Sequence, residues 1–369
     1  MNHYAIKAAK KERAFFRKLH NREYLTGRGM KNVIVEVTRS EVLFLTKKSK
    51  APQRIKRSML RKAMTFLFYR RTVTRKELAT MFKCKFNSAM LGLLRAIFIN
   101  MSRIHKATKG GLMRITLKSV RHFFSGAVRS PKDLHLAVAN GARFFLVSYA
   151  HVRFRKNWYA HFEKLAKLYG IKLLIDSGAY TVDQAIKKGK DVPLLLVEEY
   201  ASFLDRFQHL IYGAFTLDVI GNADASRENT EYLRAKGFSP IEVFHYGSDW
   251  SELKKMVSAD QEVIGIGGTV GLSEKKKREY FTELFDRFPG QLFHLLGCGS
   301  PLILEFPFFS SDSSTWLLGR KFKILTTPKQ VKAPQGWNGD DCIAYNARFQ
   351  SQYEEWNESA SQIELALVY

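Results

Sequence analysis

From His122 onward, short apolar runs alternate with stretches in which apolar positions recur at helical spacing. The runs are HFFSGAV (122–128), FFLVSYA (144–150), KLLIDSG (172–178), AFTLDVI (214–220), IEVFHYG (241–247), EVIGIGG (262–268), QLFHLLG (291–297) and PFFSSDS (307–313). Between most of them lie amphipathic segments such as PKDLHLAVANG, WYAHFEKLAKLYG, RENTEYLRAKG and KKKREYFTELFDRF, each beginning near a capping Ser, Asp or Asn and several ending at Gly. Strand–helix alternation implies a parallel sheet. Eight such strands predict an α/β chain whose catalytic-sized domain is a (β/α)8 TIM barrel over residues 122–320. An open doubly wound sheet is the alternative, but no GxGxxG follows a first strand to support it.

The first third has a different pattern. Residues 1–30 are Lys- and Arg-rich with some helical character, and VIVEV (33–37) reads as a short strand. Over 58–118 the reading sharpens: a helix in SMLRKAMTFLFYRR, then TVTRKELATMF with Thr74 and Glu77 at capping-box spacing, the polar turn KCKFN, and a second helix in SAMLGLLRAIF. RIHKATKGGLMRITLK closes the segment as two β-prone runs around Gly110 and Gly111, a hairpin signal. Helix, capped helix, turn, helix and hairpin resemble a winged helix-turn-helix, in which the second helix of the pair enters the major groove and the wing touches phosphate. On that reading Lys83, Lys85, Asn87, Arg95 and Lys109 are nucleic-acid contacts. A basic three-helix extension that only packs on its neighbour is the plainer alternative.

Charge separates the two parts. Residues 1–121 carry 31 Lys and Arg against 5 Asp and Glu, a net of +26, whereas residues 122–369 balance 29 against 29. Solubility alone would not segregate charge in this way; a polyanion partner accounts for it, nucleic acid before anionic membrane. Phosphate dominates affinity for DNA and RNA alike, so charge does not choose between them. A hydrophobic share of 46% with ordinary Gly and Pro describes a globular protein. No apolar run approaches a membrane span, the first twenty residues lack the apolar core of a secretory signal, and Cys84, Cys298 and Cys342 form no metal-ligand spacing. A cytoplasmic, reduced, monomeric protein with no membrane partner is expected, with residues 321–369 as an extension packed on the barrel.

Several barrel runs end in polar residues. Asp176, Asp218, His245, Gly267, Gly268 and Asp312 all fall at predicted strand C-termini. Turn chemistry would place polar residues at both ends of strands; here they collect at the end where barrel active sites are built. Two carboxylates in one pocket suit displacement at an anomeric carbon, one attacking C1′ and the other moving protons. A third carboxylate and a pair of glycines suit recognition of a planar base.

LLIDSGAYT, IGIGGTVG, LLGCGSP and FSSDSSTW resemble, in order and position, the motifs of the tRNA-guanine transglycosylase superfamily. FTLDVIGNADASRENTEYLRAKGFSPIEVFHYG is similar to its shorter phage and bacterial branch, the 7-deazaguanine DNA transglycosylases, and the resemblance covers about residues 120–320. It implies that Asp312 is the nucleophile that forms a covalent intermediate at C1′, and that Asp176 is the general acid/base. Asp218 would read the guanine-like edge beside the Gly267 and Gly268 backbone, with Ser177 and Leu296 lining the pocket. His245 falls where the family carries a base-reading glutamine. The family's C-x-C-x-x-C…H zinc site has no counterpart, since the tail from 320 holds only Cys342.

The resulting expectation is exchange of guanine in DNA for a 7-deazaguanine such as preQ0. The free base is the co-substrate, and neither zinc nor another cofactor is expected, in a bacterial or phage-infected cytoplasm. The same exchange on RNA, tRNA first, is the runner-up. A catalytically silent barrel acting as a DNA-binding regulator is the third reading, against which the retention of all three carboxylates argues. Extruding a base costs a few kcal/mol; no GxxxxGK[ST] is present to couple that to ATP, leaving room for a separate duplex-opening ATPase.

Overall fold

The computed structural model describes residues 3–19, 23–26, 29–106, 113–259, 261–327 and 330–355. Contacts divide the described chain between Ser119 and Val120, two residues before the expected boundary after 121. The shift has a reason: Val120 N–H donates to the Tyr353 carbonyl and Arg121 opens the first barrel strand.

The first unit begins with α1 (His3–Arg17) and a four-stranded antiparallel sheet in the order β1 (Glu23–Leu25), β2 (Lys31–Val37), β3 (Glu41–Thr46), β4 (Gln53–Lys56). Only β2 of this sheet was expected. Then follow α2 (Arg57–Arg70), β5 (Thr72–Thr74), α3 (Arg75–Thr80), α4 (Asn87–Ile97), β6 (Ser102–Lys106) and β7 (Met113–Leu117), with the sheet order β5-β7-β6. This is the order of helix, capped helix, helix and hairpin strands read from the sequence. α2 buries Leu60, Ala63, Met64, Leu67 and Phe68, one helical stripe. The capping box of α3 is formed: Glu77 N–H donates to Thr74 Oγ1 at 3.1 Å, and Thr74 N–H to Glu77 Oε2 at 2.7 Å.

The expected recognition helix is largely packed. A groove-reading helix must present a free face, but α4 buries Ala89 through Leu94 and Ile97. β1 lies across it: a Cβ at Gly92 would sit 2.7 Å from the Leu25 carbonyl oxygen, so only glycine permits this approach. Arg95 is exposed, and Asn87 Nδ2 donates to the Cys84 carbonyl at 3.4 Å. Lys83 and Lys85 are exposed on the α3–α4 turn. Lys109 and the glycine pair of the hairpin lie outside the described residues.

Cations are exposed over much of this unit, among them Lys31, Arg39, Lys47, Lys48, Lys50, Arg54 and Lys56 on and between β2, β3 and β4, and a regular set lies on α1. Its exposed positions His3, Ile6, Lys10, Arg13 and Arg17 follow helical spacing along one face. Its one carboxylate, Glu12, is turned inward and fully buried, where Arg57 Nε (2.6 Å) and Arg61 Nε (3.1 Å) neutralise it. Lys7 and Lys11 lay their stems over the Phe68 and Phe98 rings, at 5.3 and 5.2 Å.

The second unit is a closed parallel barrel. Its strands are β8 (Arg121–Ser125), β9 (Phe144–Ser148), β10 (Lys172–Asp176), β11 (Ile211–Ala214), β12 (Val243–His245), β13 (Val263–Gly267), β14 (Leu292–Leu295) and β15 (Ser310–Ser313). They pair in the order β11-β10-β9-β8-β15-β14-β13-β12, and a parallel bridge between Phe215 and Ile241 joins the two ends. The last strand therefore pairs with the first, Asp312 opposite Phe123. α5 (Pro131–Ala139), α6 (Tyr149–Val152), α7 (Ala160–Tyr169), α8 (Ala179–Lys187), α9 (Val197–Arg206), α10 (Ala223–Ala235), α11 (Trp250–Ser258) and α12 (Glu274–Arg287) connect them. Ser130, Asn222, Asp249 and Ser273 cap their helices by side chain, whereas α7 starts at Tyr159 without such a cap. The expected strand 214–220 begins earlier, at Ile211, so Asp218 stands in the loop beyond it.

Aromatic side chains fill the barrel: Phe123 and Phe215 pack on His294, ring centres 5.8 and 5.1 Å away. At the opposite end from the mouth, the Arg121 guanidinium lies 3.7 Å above the Phe144 ring and pairs with Glu354 at 2.9 Å. After β15 come α13 (Leu318–Phe322), the pair β16 (Ile324–Leu325) and β17 (Val331–Lys332), and α14 (Gly339–Ser351), which packs against α5. No helix among the described residues is long and apolar enough to cross a membrane.

Candidate active site

Asp312 is the third of the four residues of β15 and is buried. Both carboxylate oxygens are engaged, unequally. Oδ1 accepts the Gly297 N–H at 3.0 Å and faces His294 Nε2 at 3.3 Å; Oδ2 accepts the Ser125 hydroxyl at 2.6 Å. His294 is itself fixed by Ser310 Oγ, 2.8 Å from Nδ1. Burial alone would raise this carboxyl, but His294, Ser125 and Gly297 outweigh it and hold Asp312 below the ordinary carboxylate value. Oδ2, with one donor against two on Oδ1, keeps the freer lone pair.

Asp176, at the tip of β10 and opposite Ser148 in register, is pushed the other way. Burial chiefly, then the negative charge of Asp312 and that of Asp218, raise it from 3.8 to about 6, while the Gly178 N–H and the Ser148 hydroxyl pull it down. The three carboxylates thus act on one another within a single mouth. Two groups of one chemical type, displaced to opposite sides of their usual value, are the arrangement from which one acts as anion and the other as proton carrier.

Asp218 is held by the loop that α10 anchors: Val219 N–H donates to Ser226 Oγ at 2.8 Å and Asn229 Nδ2 to the Leu217 carbonyl at 2.8 Å. His245 Nε2 stands 3.4 Å from Asp218 Oδ2. A Cβ at Gly267 would come 3.0 Å from His245 Nδ1, so the glycine makes room for the imidazole. Gly268 has φ +73° and lies against the Tyr246 backbone. Leu296 reaches inward, its Cδ1 3.0 Å from where a Gly265 Cβ would be. Ser177 is spent on the turn: its hydroxyl accepts the Ala179 N–H at 3.4 Å and its carbonyl the Ala150 N–H at 3.2 Å. A cavity of about 440 Å³ runs from Asp218 and His245 between α10 and α11.

Ser125, His294 and Gly297, which set the state of Asp312, were not singled out in the sequence. Ser125 ends an apolar run as Asp176 does and could have been found by the same criterion. His294 is one polar residue inside QLFHLLG, a position that in most sheets faces a neighbour rather than a site. Close by, His122 Nδ1 lies 3.1 Å from Ser311 Oγ; burial pushes it down to about 4 against the pull of Asp312, so it is neutral near pH 7. Among the described residues, no group of three or more His, Cys, Asp or Glu is placed to hold a metal ion.

No protein-family model and no curated protein matches the chain. Solved structures similar to it include a protein of Aquifex aeolicus VF5 (10% identity, TM-score 0.43, 64% of this chain and 93% of that one). A native KDPGal structure (10%, 0.38, 64% and 94%) and a tryptophan synthase alpha-subunit of Pyrococcus furiosus (11%, 0.41, 64% and 98%) are others. Likenesses this slight carry no argument about chemistry.

Proposed function

We propose that this chain is a transglycosylase that exchanges guanine in DNA for a free 7-deazaguanine base. The observation that carries the reading is the opposed state of two carboxylates in one barrel mouth, Asp312 held ionised and Asp176 raised to about 6. Asp312 Oδ2 attacks C1′ of the nucleotide, the C1′–N bond breaks, and Asp176 gives its proton to the departing guanine. In the second half the incoming base loses a proton to Asp176, its ring nitrogen attacks C1′, and the ester to Asp312 breaks, restoring the carboxylate. Asp218, braced by His245, accepts from the ring N–H and amino donors of the base. Mass analysis of nucleosides from an expressing host tests the reading: a deazaguanine in DNA and not in tRNA supports it. The same base in tRNA alone moves the activity to RNA, and in neither the reading fails.

The +26 charge of residues 1–121 supports a polyanion substrate. α1 carries three of these cations, Lys10, Arg13 and Arg17, at helical spacing along one exposed face. In fluorescence anisotropy with a duplex oligonucleotide, Lys10→Glu/Arg13→Glu/Arg17→Glu is expected to weaken binding at least ~10-fold near 0.1 M salt. It should also lower the salt slope by about 2.7, at roughly 0.9 per phosphate contact. Lys83→Glu/Lys85→Glu/Arg95→Glu should cost less; a larger loss there would return the interface to the α3–α4 turn.

A further inference from the structure

A base inside a duplex cannot reach the floor of a barrel mouth, so an enzyme acting on C1′ there extrudes the nucleotide and leaves a gap in the stack. Proteins that hold such distortions insert an apolar side chain into the gap and clamp the flanking phosphates with cations. The β9–α7 loop, on the same face of the barrel as Asp176, carries both. Its sequence from Arg153 is RFRKN, without a carboxylate. Phe154 is 72% exposed, the most exposed phenylalanine among the described residues, and Arg155 and Lys156 beside it are exposed as well.

The loop is built to hold that ring outward. Val152 is buried at its start, and near its end Trp158 packs against Phe203 and Phe207, ring centres 5.8 and 5.1 Å away. Asn157 turns the chain at φ +56°, with the Arg155 N–H on the Val152 carbonyl (2.9 Å) and the Ala160 N–H on the Asn157 carbonyl (3.2 Å). Arg153 Nη1 donates to the Leu194 carbonyl at 2.7 Å and Nη2 to the Pro193 carbonyl, and its guanidinium carbon sits 4.6 Å from the Phe154 ring centre. Arg153 is therefore a rigid shelf under the ring, tied to a second exposed apolar tip, Leu194 (68%). The exposed Arg129, in the loop after β8, is near enough for its charge and that of Arg155 to act together on His151, whose ring burial already holds below its usual value. Arg129 and Arg155 thus act on one side chain next to this loop.

We propose that Phe154 is the wedge that enters the base stack when the target nucleotide is drawn into the barrel, with Arg129, Arg155 and Lys156 on the neighbouring phosphates. The inference rests on the DNA-exchange reading above and extends it to a duplex substrate. The test is incorporation of isotopically labelled guanine into one oligonucleotide sequence, presented as duplex and as single strand, by wild type, Phe154→Ala and Phe154→Leu. Phe154→Ala is expected to lose at least ~10-fold on the duplex and little on the single strand, where no stack has to be opened. Phe154→Leu, still an apolar wedge, should recover part of the loss. Equal losses on both substrates, or none on the duplex, would overturn the wedge while leaving the exchange reading intact. A wild type that incorporates guanine into neither would remove both.

Discussion

Asp312→Ala is expected to abolish base exchange together with the covalent protein–DNA adduct, while duplex binding through the basic unit persists. On the proposed reading the side chain is the electron-pair donor to C1′; Ser125 and His294 both face Asp312, and His122 is turned to Ser311. Removing a nucleophile from a concerted site costs of the order of 10⁴–10⁶ in turnover, so labelled-guanine incorporation should fall to background. Wild type incubated with DNA and quenched in denaturant should show a slow-migrating band that the variant lacks. Thermal melting checks that the variant folds; loss of a buried carboxylate removes a desolvation cost as well as three hydrogen bonds, so no large destabilisation is expected. An equally strong band from the variant would remove Asp312 from the chemistry.

Asp176→Asn should stop exchange and yet stabilise the protein, and the two effects have one cause. An amide carries no exchangeable acid proton near neutrality, so neither departure of guanine nor activation of the incoming base is assisted. The stability effect follows from the raised value of about 6 against 3.8 for the free side chain. Below 3.8 the carboxyl is protonated in both folded and unfolded chains and contributes nothing. As pH rises from 3.8 to 6 the unfolded chain releases the proton first, so the folded state loses stability, and above 6 the loss is constant. Asparagine removes that loss, a gain of at most about 2–3 kcal/mol. Melting curves of the two proteins should therefore nearly coincide near pH 4 and separate by pH 7, the variant being the higher. A variant less stable than wild type at pH 7, or active in exchange, would show that Asp176 serves the turn and not the reaction. In wild type the same group predicts that guanine release slows as pH rises through about 6, because the acid form is the one consumed.

The barrel could be read from the chain because its strands are buried on both faces, which makes them continuous apolar runs between amphipathic helices. Seven of the eight fell where the runs do. The exception is instructive: Phe215 is apolar because it closes the sheet at a single bridge to Ile241, and Leu217 because it is buried beyond the strand. Runs of hydrophobicity do not distinguish the two. The carboxylates were legible because a charge at the end of an apolar run is costly without a use. The groups that tune them were not, since Ser125 and His294 acquire meaning only through a partner on another strand. The same limit applies to α4. Arg95 and the apolar spacing suggested a free recognition helix, but what decides its exposure is the approach of Leu25 to Gly92, from a strand too short to announce itself.

Barrel closure between β8 and β15 also bears on when the candidate site forms during synthesis. The Ser125–Asp312 hydrogen bond joins positions 187 apart in the chain, and the Trp316 indole N–H reaches the Ser125 carbonyl across 191. Contacts of such span form only after the loop entropy of the intervening chain has been overcome, so they belong to the slow, late part of folding. A nascent chain displays the basic unit, with its proposed affinity for nucleic acid, long before residue 312 leaves the ribosome. On the proposed reading, the site around Asp312 is assembled only when the first and last strands meet, so an unfinished barrel would hold no nucleophile able to act on DNA.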